Sequence, residues 1–481
     1  MPQSNTIIWF RRDLRLHDNP AWNWAVQQGR PITAVYLHSP KEEGTWKRGR
    51  ASNWWLFHAL ADLAAQLEKG GHQLVLRQTS NSLQALEQII GETQARAVCW
   101  NRCYEPSFVK RDSEVKEALN RSGIEIQSFN GSLLLDPLQI RNKVGNPFQV
   151  FTPFWKHVRE IDVARPETTV AAAASASVAI GSEPPEALRL LPHTPWDGGL
   201  KETWNPTRQG GLDLLELAVR KCQDYDSLRD LPAEDGTSRL SPYLHFGQVS
   251  PREFFHHVRS GTRHQEKADT GILRQLYWRE FSAHLLFHFP HSQDTALKHP
   301  YDQFPWEFNE HHLRAWQLGQ TGFPIVDAGM RQLWHTGWMH NRVRMIAGSF
   351  LVKHLLQPWQ EGARWFWDTL CDADLANNSM GWQWVAGCGA DASPYFRVFN
   401  PILQGKKFDP DGNYVKQWCP ELAGLPPGLV HTPWEAGQAD YAPEHAECAK
   451  TYPAPVITHE QGRHRALAAY QAFKSTLPAK R

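Results

Sequence analysis

Within roughly the first 130 residues, short apolar runs alternate with longer helical patterns, and this alternation limits the fold more than any other feature of the chain. The runs stand at Thr6–Phe10, Ile32–Leu37, Gln73–Leu76, Ala97–Trp100 and Ile124–Phe129, with helical patterns such as Ser52–Lys69 and Ser82–Ile90 between them. Alternation of this kind predicts right-handed crossovers and a parallel sheet covered by helices on both faces. A ligand is then expected beyond the carboxyl ends of the strands. Neither a G-x-G-x-x-G nor a P-loop glycine pattern is present, so the usual dinucleotide and triphosphate fingerprints are missing.

From Thr168 to Gly199 the chain turns rich in Ala, Ser, Pro and Gly without a period, which reads as a linker wrapped on the surface. Beyond it, amphipathic patterns recur at Gly210–Asp224, Ser250–Ser260, Ile272–Phe287, Phe323–Trp334 and Met339–Leu356. Ser250-Pro251-Arg252-Glu253 has the form of a capping box with proline in the first turn. The expected plan is therefore a doubly wound, Rossmann-like α/β domain over residues 1–133, an interdomain linker over 134–205 and an all-α domain over 206–481.

Composition narrows the class. With 481 residues, 41% hydrophobic and 21% charged, the chain is an ordinary globular one with ample core. There is no apolar run of about 18 residues to span a membrane, and the N-terminus lacks the order of a signal peptide, so a cytoplasmic protein is expected. The seven cysteines are scattered without a CxxC pair, which indicates neither a zinc site nor a disulfide framework. A net charge of +1 neither suggests nor excludes nucleic acid. The unusual number is 22 tryptophans against 11 tyrosines. Most serve packing on composition alone.

The stretch Cys371–Pro401 carries the densest chemistry. Asp372, Asp374, Asn377, Asn378, Trp382 and Trp384 fall within thirteen residues. Acids and amides can hydrogen-bond the edge of a polar heterocycle, while indoles stack on flat rings or give up an electron. On the pattern Ile272–Phe287, Gln275, Trp278, Arg279 and Ser282 share one helical face. Trp338, Asn341, Arg342 and Met345 share the same spacing on the next. Two faces that are polar and aromatic, where Leu or Ile would be ordinary, point together to the lining of one cavity. The segment GTSRLSP supplies Thr237, Ser238, Arg239 and Ser241 near a helix start, which suits a phosphate and plain N-capping equally well.

From IIWFRRDLRLHDNP through GTSRLSP, YWREF, GWMHNRVRM and DADLANNSMGWQW, the chain resembles the photolyase/cryptochrome family over nearly its full length. Within it, the resemblance is to cyclobutane pyrimidine dimer (CPD) DNA photolyases of the plant-like bacterial, class III, group. It implies an antenna-binding α/β domain and a helical FAD-binding domain. It also implies FAD as cofactor, methenyltetrahydrofolate as antenna, and a monomer acting on UV-damaged DNA with no membrane.

Carried over residue by residue, the resemblance gives Tyr225 and the Thr237, Ser238, Arg239, Leu240, Ser241 segment to the ribityl and pyrophosphate groups. Gln275, Trp278, Arg279, Asn341, Arg344, Asp372, Ala373, Asp374 and Asn378 complete the FAD site, with Arg344 pairing Asp372 and Asn378 facing the flavin's central nitrogen. Trp382, Trp359 and Trp306 match the electron-transfer chain, and Trp278 and Trp384 match the two indoles that grip a flipped dimer. Arg229, Arg342, Asn341 and Met345 match lesion or phosphate contacts. The implied activity is repair of cyclobutane dimers by light-driven electron transfer from reduced FAD.

Three departures matter. Asn341 and Met345 replace the histidines of 6-4 photoproduct enzymes and cannot perform their proton transfer. Gln275 stands where cyclobutane-dimer enzymes usually carry Glu, so a reduced repair yield is expected. Phe108 stands where some members place a carboxylate for the folate, which leaves a deazaflavin or an empty antenna site as alternatives. The rival reading is a cryptochrome photoreceptor. It is disfavoured because the chain stops about sixty residues after Trp418. An iron–sulfur relative would need clustered cysteines, which the sequence lacks.

Overall fold

The structure, a computed structural model, describes residues 5–169, 180–261, 271–436 and 443–477. The chain divides into two compact units: residues 1–223, 238–290 and 371–376 form the first, and 224–237, 291–370 and 377–481 the second.

The first unit is built on five parallel strands, β1 Asn5–Phe10, β2 Ile32–His38, β3 Leu74–Gln78, β4 Ala95–Asn101 and β5 Glu125–Phe129, in the order β3-β2-β1-β4-β5. All five expected strands are present. The third lies one to two residues later than its apolar run, carried on through Arg77 and Gln78 by pairing with Leu37 and His38. β1 and β2 are buried along their whole length, as strands covered on both faces must be. The core joins Ile7, Trp9, Val35, Val75, Val98 and Trp100 to Leu86, Ile89, Val115 and Leu119 from the helices Ser82–Thr93 and Pro106–Arg121. Strand order reverses beside β1, so the carboxyl ends of β1 and β4 flank the crevice where such sheets take ligands.

Of the expected surface linker, residues 170–179 lie outside the described residues. Ser182 and Glu183 run along the edge of β3: Leu76 N–H donates to Ser182 Oγ at 3.0 Å and Glu183 N–H to the Leu76 carbonyl at 3.0 Å. The remaining helices of this unit include Phe151–Val158, Arg208–Lys221, Pro251–Gly261 and Ile272–His288. The expected capping box is formed. Glu253 N–H donates to Ser250 Oγ at 2.9 Å, and Ser250 N–H to Glu253 Oε2 at 2.9 Å.

Every regular element among the described residues of the second unit is a helix, with Pro324–Thr336, Trp359–Thr369 and His459–Thr476 among the longest. The pattern Met339–Leu356 proves to be two pieces, an α-helix Asn341–Ser349 and a π-helical turn Phe350–His354. His340 sets the start by accepting the Arg342 N–H on Nδ1 at 3.2 Å. Trp338 therefore precedes the helix and does not share its face with Asn341 and Met345, which corrects the one-stripe reading. Among the described residues no helix is long and apolar enough to cross a membrane, and no group of three or more His, Cys, Asp or Glu side chains could hold a metal.

Candidate functional site

In the first unit, charge gathers at the carboxyl ends of β1 and β4. Past β1 the Arg11 guanidinium lies 4.7 Å from the centre of the Trp9 ring and reaches Asp112 Oδ2 at 2.8 Å, and Arg12 pairs with Glu105. Arg12, Tyr104, Glu105, His245, Arg279 and Asp374 line a cavity of about 40 Å³. That volume suits a few water molecules and is far below what a flavin needs. Burial opposes the charge on Asp374. His245, Arg279 and Arg12 nevertheless outweigh it and hold the carboxyl well below the usual carboxylate range. Asp374 is thus kept as an anion, ready to accept hydrogen bonds from a polar ring edge.

The helix Ile272–His288 carries Gln275, Trp278 and Arg279 as half-buried side chains. Arg279 donates to the Ser132 carbonyl at 2.9 Å and lies 3.6 Å from Glu280. Phe151 stacks on Trp278 with centroids 3.5 Å apart and planes 8° from parallel, so that ring is held rigid and covered on one side. Ser282 proves structural: its hydroxyl donates to the Trp278 carbonyl at 2.9 Å. Asp372 and Ala373 are buried, as is Leu240. In GTSRLSP, Leu240 N–H donates to Ser238 Oγ at 3.4 Å, and Ser241 is exposed at the head of the short helix Ser241–His245. Arg239 holds a left-handed φ of 54° and stacks its guanidinium 4.8 Å above Trp204.

In the second unit, Asp230 collects two of the expected arginines, with Arg342 Nη2 at 2.7 Å and Arg229 Nε at 3.9 Å. Arg229 also lies 5.5 Å over the ring of Tyr225, and Thr237 is half-buried. Arg344 donates through Nε to the Met339 carbonyl at 2.7 Å. Asn341 and Met345 sit one turn apart on the helix Asn341–Ser349, the amide nitrogen 3.8 Å from the sulfur. Burial lowers the neighbouring His340 to about 4, so it is a neutral cap at ordinary pH.

The three expected electron-chain tryptophans all lie in this unit. Trp382 and Trp359 are buried and Trp306 is half-buried. Trp382 packs edge-on to Phe366 at 5.0 Å and Trp316 at 6.0 Å, while Trp306 lies 4.4 Å from Phe304. Asn378 is buried and donates to the Ala363 carbonyl at 3.0 Å, which fixes the orientation of its amide. Trp384 is half-buried.

Sequence reasoning missed Phe151, Asp230, His245 and Gly362. Asp230 adjoins Arg229 and could have been noticed as its counter-ion. Phe151 and His245 come from segments remote in sequence from their partners, and nothing local marks them. Gly362 faces Trp382 so closely that an added Cβ would lie 2.1 Å from Cη2. A glycine in a helix interior, unfavourable by propensity, was its only signal.

Comparison with known proteins agrees with this arrangement. The family described as DNA photolyase matches residues 6–172, and that described as the FAD binding domain of DNA photolyase matches residues 272–472. A deoxyribodipyrimidine photo-lyase of Agrobacterium fabrum is 44% identical over 98% of both chains. Cryptochrome-2 of Arabidopsis thaliana is 39% identical over 95% of this chain and 77% of its own length. The crystal structure of a bacterial class III photolyase from Agrobacterium tumefaciens superposes with a TM-score of 0.93 at 42% identity, covering 99% of each chain. With an α/β unit, a helical unit and both family regions in place, the chain belongs to the DNA photolyase family.

Proposed function

We propose that this protein is a deoxyribodipyrimidine photo-lyase, repairing cyclobutane pyrimidine dimers in UV-damaged DNA with light. FAD, when bound, supplies the light-driven one-electron chemistry. The chain's own residues position, insulate and tune. Asp374, held as an anion, and the oriented amide of Asn378 suit the polar edge of a flavin. We assign Tyr225, Thr237, Ser238, Arg239, Leu240, Ser241, Gln275, Trp278, Arg279, Asn341, Arg344, Asp372, Ala373, Asp374 and Asn378 to that cofactor. Trp382, Trp359 and Trp306 conduct electrons towards the surface. Arg229, Arg342, Trp278 and Trp384 receive the lesion and its phosphates, and the extruded bases are bound by stacking once they leave the helix.

The observation that carries the choice of lesion is the contact between Asn341 and Met345. An amide and a thioether exchange no proton at ordinary pH, so chemistry that requires a histidine pair is absent at these positions. Repair of dimer-containing and 6-4-containing oligonucleotides under blue light tests this. Dimer repair alone is expected, whereas failure on both substrates with FAD bound would favour the cryptochrome reading, which similarity to Arabidopsis cryptochrome-2 keeps as the second candidate.

The antenna belongs to the same proposal. Phe108 is buried beneath the guanidiniums of Arg12 at 5.1 Å and Arg111 at 4.7 Å, so no carboxylate is offered there for a folate. Methenyltetrahydrofolate is then bound by other groups, in the manner of class III enzymes. The division into an α/β antenna domain at 1–133, a linker at 134–205 and a helical FAD domain at 206–481, a monomeric state and a cytoplasmic location complete the reading.

A further inference from the structure

We infer that His245 is a positioning residue for Asp374: its Nδ1 stands 3.5 Å from Oδ2, and when the two close to a hydrogen bond the imidazole fixes that carboxylate in orientation and charge. The inference rests on the assignment of Asp374 to the flavin edge.

The backbone around His245 leaves it little freedom. The short helix Ser241–His245 ends at Gly247, whose φ is 66° and where an added Cβ would lie 2.2 Å from the Arg12 carbonyl. Leu14 N–H donates to the Phe246 carbonyl at 3.0 Å and Arg15 to the Gly247 carbonyl at 2.8 Å, which ties this turn to the segment leaving β1. The imidazole stands edge-on to Phe246 at 4.8 Å. Its side chain is 3% exposed, and among the described residues its buried Nδ1 has no hydrogen-bond partner, with Asp374 Oδ2 standing 3.5 Å away. A buried N–H left unpaired is costly, so pairing with the carboxylate fixes the tautomer as well as the acid.

Charge around the pair is balanced. Arg12 and Arg279 face Asp374, while Arg12 and Glu105 face His245. Burial lowers the imidazole below its ordinary value, so the ring is neutral and acts as a hydrogen-bond donor rather than as a cation. Without that donor the carboxylate keeps its arginines but loses the bond that aims it, and its titration moves up towards the ordinary carboxylate range.

The test compares wild type, His245→Leu, His245→Asn, Asp374→Asn and the double variant His245→Leu with Asp374→Asn. FAD affinity is measured between pH 5 and 8. Asparagine can place its amide N–H close to where Nδ1–H stood, so it is the conservative replacement. Expected results are an affinity loss of about tenfold in His245→Leu, as for one hydrogen bond to a charged group. That loss should be the same from pH 5 to pH 8, since an ordinary carboxylate stays ionised throughout, with recovery in His245→Asn and no further loss in the double variant beyond Asp374→Asn. The inference is overturned if His245→Leu matches wild type at every pH, or if it weakens the Asp374→Asn protein as much as the wild type. If His245→Leu does not fold, His245→Asn binding FAD as poorly as Asp374→Asn overturns it. A wild type that binds no FAD would overturn the assignment of the site itself. The two failures are thus distinct.

Discussion

Gly362 makes room for Trp382: a methyl group at that glycine would lie 2.1 Å from Cη2 and 2.4 Å from Cζ3 of the indole. The helix Trp359–Thr369 therefore lays bare backbone against the ring, and Phe366 and Trp316 hold its remaining edges. Gly362→Ala is expected to gain helix propensity and still destabilise the protein by about 1–3 kcal/mol through overpacking. Displacement of Trp382 should also slow reduction of bound flavin under blue light. Thermal unfolding and the photoreduction rate are the measurements. An Ala variant as stable as wild type, with an unchanged rate, would show that the ring can move aside.

Phe151 covers Trp278 with nearly parallel planes. A rigid aromatic gripping surface spends little entropy when a base stacks on it, so loosening it should weaken the complex. Phe151→Leu is expected to raise the Kd for dimer-containing DNA about threefold to tenfold while leaving binding of undamaged DNA unchanged, corresponding to the ~0.5–1.5 kcal/mol of an aromatic pair. Equal losses on both DNAs would mean that the contact serves only the fold.

How much of this is visible in the sequence depends on the range of the interaction. The sheet, the Ser250–Glu253 cap and the helix Pro324–Thr336 arise from local periodicity and capping chemistry, and these appear within a few residues of the expected places. Trp338 falls off its expected face because His340 caps the helix from just inside the apparent periodicity. The contacts of Phe151 with Trp278 and of Gly362 with Trp382 are tertiary, 127 and 20 residues apart by number, and no window of sequence holds them. Ser282 misleads for the opposite reason, since a polar residue on a functional-looking face spends its hydroxyl on its own helix.

Glu280 gives the fold a pH dependence. It is buried, accepts the Leu135 N–H at 3.1 Å, and burial pushes its carboxyl up from 4.5 to about 7, with Arg279 pulling the other way. Between those values the folded protein keeps a proton that the unfolded chain releases. Stability contributed by this group is therefore full below about 4.5 and is lost as pH rises to about 7, by about 3 kcal/mol at most. Glu280→Gln keeps an acceptor for Leu135 and removes the titration. Urea unfolding of both proteins at pH 5 and pH 8 should show the variant gaining on wild type at the higher pH, and a constant difference would refute the account.

Gln275 is half-buried on the helix Ile272–His288, at the position where the resemblance to cyclobutane-dimer photolyases implies a carboxylic acid. A neutral amide can donate to a pyrimidine carbonyl, but it has no acidic proton to strengthen that bond as charge develops. Gln275→Glu is therefore expected to raise the quantum yield of dimer repair without tightening binding. Repair measured per absorbed photon decides it, and equal yields would remove any role for the missing acid.

One carboxylate, Asp230, serves both Arg342 and Arg229, and the side chains of Arg342, Arg229 and Asp230 are only 19%, 31% and 35% exposed. Arg342 is held a second time by the ring of Phe408, 4.4 Å away, which Lys407 also approaches at 5.1 Å. Removing the acid should therefore free positive charge without letting Arg342 swing away. Asp230→Asn is expected to bind undamaged duplex more tightly at low salt and to steepen the plot of log affinity against log salt by about 0.9, as for one additional phosphate neutralised. Arg342→Ala should flatten it by a similar amount. Fluorescence anisotropy across a salt series distinguishes these. If Asp230→Asn weakens binding instead, the carboxylate orients the arginines for phosphate rather than restraining them, and the loss should then appear at every salt concentration with an unchanged slope.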